Sequence, residues 1–184
     1  MKQAQYLEGG GDMRRRRVAI CIAIFLAAFW MATGVAAAHF LNSDSVDCGD
    51  NGCEIRYEEY TKYDEANANA IDGWESIAGG VNIAPDIAST VTDLEVTDYS
   101  DSGDNRCGFW DPRVAADRIA LNKASLDNDT QRERWACVIH EWGHAHRLAH
   151  SFNDQVMDDC PVCDTGGTYI NPQNHDRDDY NQIW

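Results

Sequence analysis

His140-Glu141-Trp142-Gly143-His144-Ala145-His146-Arg147-Leu148-Ala149-His150 is the stretch on which the reading of this chain turns. Residues four apart on an α-helix lie almost above one another, about 40° apart in projection, so His140 and His144 can offer their imidazoles to a single metal ion. Neutral nitrogen ligands of this kind most often hold zinc, and a catalytic zinc takes three protein ligands while a fourth position stays open to water. His150 is the candidate third ligand. It stands too far beyond His144 to share the same helical face, so the helix must end and the chain must turn back for it to reach the ion. Glu141 is not needed as a ligand and is free to take a proton from metal-bound water. His146 projects about 200° away from His144 around a helix axis and cannot share that ion while the helix continues. It falls instead on a stripe with Trp135, Val138, Ile139 and Trp142 that should face the core.

Upstream, Thr130 to Glu133 spells a T-x-x-E capping box, so the helix is expected to begin at about Gln131 and run towards Ala145. Both histidines then lie in its last turns. Glu54 to Tyr60 alternates as a β-prone run, and Ala70, Ile71, Trp74, Ile77 and Ala78 recur at helical spacing before a Gly79-Gly80 stop. Val81 to Ile83, Thr90 to Tyr99 and Arg118 to Leu121 read as further strands. Asn171-Pro172 is a good helix start, and Tyr180, Ile183 and Trp184 can anchor a short C-terminal helix.

From His140 to Met157 the chain resembles the metzincin zinc metallopeptidases, in particular their matrixin-like secreted members, whose signature is H-E-x-x-H-x-x-G-x-x-H followed by a methionine turn. The resemblance implies zinc held by His140, His144 and His150, Glu141 as general base, and Met157 in a tight turn beneath the metal. It also implies an α+β metzincin-like catalytic domain: a twisted mixed β-sheet with an active-site helix, a methionine turn and a C-terminal helix. In that family an edge strand just before the active-site helix lines the cleft and pairs with an extended substrate, and Arg118 to Leu121 is the run expected there. One position departs from the signature. Arg147 stands where the family has glycine, and a left-handed arginine costs on the order of 1 kcal/mol. The implied activity is that of a zinc metalloendopeptidase hydrolysing peptide bonds by glutamate-assisted attack of zinc-bound water on a protein or peptide substrate. Two other readings stay open on the residues alone: a catalytically silent zinc-containing binding domain, and a zinc amidase acting on cell-wall or other non-protein amides.

An arginine run, Arg14 to Arg17, precedes an apolar stretch from Val18 to about Val35 and then Ala36-Ala37-Ala38. That order is expected of a secretory signal peptide over residues 1–38, cleaved before His39, with Met13 as an alternative start. Uncleaved, the same segment is long enough to serve as a membrane anchor. Residues 39–184 are expected to form a single metallopeptidase domain. Cys48, Cys53, Cys107, Cys137, Cys160 and Cys163 lie beyond the signal, an even number that suits disulfides in an exported protein. Six cysteines allow fifteen connectivities, which sequence alone does not resolve; the local option joins Cys48 to Cys53 and Cys160 to Cys163 and leaves Cys107 for Cys137. Cys48-Gly49-Asp50 faintly resembles the cysteine switch of matrixin pro-segments, but too few residues precede it for a folded pro-domain and Cys53 offers a simpler fate.

With 15 Lys and Arg against 31 Asp and Glu, the formal net charge of −16 makes nucleic acid an improbable partner. A membrane enters only if the N-terminal segment is retained, and a monomer is expected. The acidic runs Asp98 to Asp104 and Asp176 to Asp179 are candidates for structural Ca2+.

Overall fold

The computed structural model describes residues 39–50, 52–152, 154–159 and 168–184. The expected signal segment and the Cys160–Cys163 pair fall outside these residues.

Strand β1 (Asp47–Gly49) runs antiparallel to β2 (Gly52–Glu59), with Cys48 and Cys53 opposite each other and joined as a disulfide. Gly52 holds a φ of 109°, which an L side chain rarely adopts, so this tight turn depends on glycine. Helix α1 (Asp64–Glu75) comes next, followed by β3 (Asn82–Pro85) and β4 (Leu94–Tyr99). Then come β5 (Gly108–Asp111) and β6 (Asp117–Asn122). A single turn, α2 (Lys123–Leu126), leads to the long helix α3 (Gln131–Ala145), and α4 (Asn174–Ile183) closes the chain.

The fold is α+β. Its sheet is mixed and six-stranded, in the order β1-β2-β4-β6-β5, with β3 also paired to β2. Pairings of β2 with β3, β2 with β4 and β4 with β6 are parallel, while β1 and β5 run antiparallel to their neighbours. Parallel neighbours need crossover connections, and α1 supplies the one between β2 and β3. Ile55, Leu94, Val96, Ile119 and Leu121 bury their side chains in one core with Trp74, Ile139 and Trp142. Each such side chain contributes roughly 1.5–3 kcal/mol on leaving water.

Helices α1 and α3 pack closely because Gly73 has no side chain: a Cβ there would press to 2.6 Å from Ile139 Cδ1. Two buried indoles fix the register of the pair. Trp74 Nε1 donates to the Ile139 carbonyl at 2.9 Å, and Trp142 Nε1 donates to Asn67 Oδ1 at 2.8 Å.

Two expectations need correction. The run Arg118 to Leu121 is a strand, but β6 is an inner one with β4 on one side and β5 on the other; the edge belongs to β5. Gly108-Phe109-Trp110-Asp111 carries a glycine and an aspartate in four residues, too little alternation to read as a strand without its partner. The C-terminal helix starts at Asn174, after Gln173 as N-cap, and not at Pro172. Its first turn is set by Asp176, which accepts from the Gln173 N–H at 2.7 Å in a reciprocal capping box.

Candidate metal centre

Helix α3 begins where the capping box predicts. Thr130 Oγ1 accepts from the Glu133 N–H at 3.3 Å, and Glu133 Oε2 accepts from the Thr130 N–H at 2.6 Å. Its other end is a Schellman turn: the Arg147 N–H donates to the His144 carbonyl at 2.9 Å and the Leu148 N–H to the Gly143 carbonyl at 3.0 Å. Arg147 takes the left-handed position of that turn, at φ 75°. The required reversal is thus made without glycine. Arg147 Nε donates to the Leu41 carbonyl at 3.1 Å, which offsets part of the backbone cost.

Beyond the turn, the chain carrying His150 is fastened by the segment that starts at His39. The Leu41 N–H donates to the Arg147 carbonyl and the Ala149 N–H to the His39 carbonyl, each at 2.8 Å, around a bridge of Phe40 with Leu148. This brings the three predicted ligands together. His150 Nε2 lies 3.2 Å from His140 Nε2 and 3.1 Å from His144 Nε2. The remaining nitrogens of the two helical imidazoles are committed elsewhere, His140 Nδ1 to the Val156 carbonyl and His144 Nδ1 to the Leu148 carbonyl, both at 2.8 Å. A carbonyl oxygen only accepts, so Nδ1 carries the proton in each ring and Nε2 keeps a free lone pair aimed at the shared point. Three convergent lone pairs of this kind could hold a metal ion.

Burial grades across the site. His140 is buried, His144 partly so, and His150 is exposed, which leaves one side open to solvent. Desolvation drives the basicity of His140 well below its ordinary value, aided by the neighbouring His144. His144 is lowered to about 4, again chiefly by burial. Both stay neutral at neutral pH, the state in which imidazole binds metal.

Glu141 is buried between the helix and the edge strand β5; a Cβ on Gly108 would lie 3.3 Å from Glu141 Cγ. Burial pushes its carboxyl up to about 8, opposed by the Trp110 backbone N–H and the charge of Arg106. The disulfide Cys107–Cys137 stands beside it, tying the approach to β5 to the middle of α3. Sulfurs joined in this way are not thiolate ligands, so their proximity to Glu141 makes no metal site.

Met157 is buried against Gly143, where any Cβ would collide with its sulfur and with Trp74. The turn holding it is anchored by Asp176, whose carboxylate accepts from the Val156 and Met157 N–H groups at 3.0 and 3.1 Å. Val156 therefore touches the centre through its carbonyl on His140, while Met157 packs its thioether against Gly143 on the same helix. His146 sits in the core, fully buried among Trp74, Trp142 and Tyr180, with Nδ1 on the Trp142 carbonyl at 2.7 Å. Burial lowers it to about 4, so it too remains neutral.

Sequence reasoning missed three contributors: Gly143, Asp176 and the edge strand β5. Gly143 had a signal, since a glycine inside a helix argues for close approach; Asp176 had none that does not require the fold. Of the acidic runs, Asp98 accepts from Thr61 and the Lys62 N–H, and Asp104 is held by Arg106 and Tyr99. Those carboxylates are satisfied by the chain's own donors. Compared with known proteins, the chain matches no family model and no curated sequence.

Proposed function

We propose that this chain is a secreted zinc-dependent endopeptidase built on a metzincin-like plan, with His140, His144 and His150 as ligands and Glu141 as general base. The observation that carries the reading is the convergence of three Nε2 atoms, with the rings of His140 and His144 oriented by carbonyl partners. Zinc–nitrogen bonds of about 2.0–2.1 Å in a tetrahedral site set the nitrogens about 3.3–3.4 Å apart, close to the spacing found here.

Zinc held there would polarise a scissile carbonyl and ease the ionisation of water in its open position. The protein's own part is positional. Glu141, next in sequence to a ligand and held on α3 against β5, is the proposed base: burial disfavours its ionised form, a cation bound at the adjacent imidazoles would restore it, and the carboxylate would take the proton of the attacking water and return it to the departing amine. Strand β5 pairs among the described residues only with β6, so its outer main-chain groups can receive an extended peptide as an added strand. Such binding makes little demand on side chains, which suits a protein substrate. Two disulfides among the described residues fit an extracellular protein, and no described helix is long and apolar enough to cross a membrane.

Incubation with an unfolded protein and mass spectrometry of the products tests the activity. Main-chain cleavage that falls by roughly 10²–10⁴ in Glu141→Gln, with metal content unchanged, is the expected result. Metal-replete protein without turnover would instead favour a silent binding domain. Hydrolysis confined to cell-wall peptides or other non-protein amides would favour an amidase.

A further inference from the structure

Around the N-terminal half of α4, away from the three-histidine group in sequence, lies a second set of ligand-type side chains. His175 and Asp179 stand one helical turn apart, and His39 approaches from the segment that pins Ala149. Asp179 Oδ2 lies 3.1 Å from His175 Nδ1 and 3.6 Å from His39 Nδ1. We propose that His39, His175 and Asp179 form a second site for a divalent transition-metal ion, a structural clasp between the N-terminal segment and the C-terminal helix.

Three observations carry this. Asp179 is buried to 3% exposure, and its Oδ1 has no hydrogen-bond partner. A buried carboxylate left so is costly unless a cation or donors complete it. Neither His39 Nδ1 nor either nitrogen of His175 makes a hydrogen bond, although all three are shielded from solvent. The two imidazoles thus approach Asp179 Oδ2 at ion-pair distance without an aligned hydrogen bond, and the ligand atoms of the three side chains all lie within 4.8 Å of one another. Two imidazoles and one carboxylate are a donor set suited to zinc and its first-row neighbours. Phe152 caps the group, with its ring edge-on to His39 at 5.1 Å and to His175 at 5.2 Å. A partly apolar cover of this kind limits competition by water. Two ligands come from one helix turn and the third from the opposite end of the described chain, so the ion would cross-link the two.

Zinc alone is the probe, added to the purified full-length chain and counted per polypeptide after removal of loose metal. In a His144→Ala background, which weakens the three-histidine group, about one tightly held zinc should remain, and it should be lost on adding Asp179→Asn or His175→Gln. The melting temperature of His144→Ala should rise with zinc and lose that response in the double variants. No retained zinc and no thermal response in correctly folded His144→Ala would overturn the proposal. Zinc retained equally by the double variants would do the same, because it would place the ion elsewhere. Should a double variant fail to fold, His39→Gln on the chain's partly exposed side gives the same comparison. Failure of the three-histidine metal site alone leaves a different pattern, in which His144→Ala changes no metal count and Asp179→Asn still removes an ion.

Discussion

Arg147 concentrates the tension between local preference and tertiary need. Its φ of 75° costs on the order of 1 kcal/mol for a side chain, and its Nε bond to the Leu41 carbonyl returns a comparable amount, about 1 kcal/mol. Arg147→Gly should therefore stay within about 1 kcal/mol of the parent in thermal melts, since strain and hydrogen bond vanish together. Arg147→Val keeps the strain, adds β-branching and loses the bond, so a loss of roughly 1–3 kcal/mol and weaker metal affinity are expected. Equal melting temperatures for Gly and Val would show that the turn does not depend on this conformation. Gly143 makes the complementary case. Gly143→Ala forces a methyl into Met157 and Trp74 and should cost about 1–3 kcal/mol by overpacking, read by denaturant titration. Two members of the three-histidine group were legible in the sequence because helix geometry alone pairs His140 with His144. The partners that orient their rings, Val156 and Leu148, act through backbone carbonyls, and a carbonyl leaves no mark on sequence.

Among the elements, α3 was readable to its ends because its limits are written locally, in the capping box and in the positions after Ala145. Strand β5 was not, because a four-residue strand exists only through its pairing with β6. The start of α4 misled for a related reason: Pro172 is a sound local signal, but Asp176 answers to the backbone of Val156 and Met157 as well as to its own helix. Disulfide Cys107–Cys137 ties the residue just before β5 to α3, the helix that carries Glu141, and closes a separation of 30 residues. Replacing both cysteines by serine should lower stability by about 3–4 kcal/mol in the chain-entropy treatment. Calorimetry of the double variant checks this, and a loss under 1 kcal/mol would mean that packing already fixes the strand against the helix.

At the level of the whole molecule, the sheet order and the closure of residues 39–41 onto the chain near His150 could not have been foreseen, since both are pairings between distant segments whose register depends on the assembled core. The α+β class and the position of the site at the end of α3 were legible, because periodicity and capping are short-range. Metal bound only by the folded chain should stabilise all of it by linkage, about 2.7 kcal/mol at a free concentration one hundred times the dissociation constant. Calorimetry of Glu141→Gln with and without chelator measures this apart from any turnover by the parent chain. An unchanged melting temperature would rule out metal as a structural partner.

The bridge between Phe40 and Leu148 has a meaning in time as well as in space. His140 and His144 meet as soon as α3 winds, an event of about a microsecond. His150 has to wait for a contact between chain segments more than a hundred positions apart, and closures of that length are slow to be rewarded. High-affinity metal capture should then be among the last steps of refolding, so that the rate at which a chelating dye surrenders zinc reports when the chain has finished and not when its helix has formed.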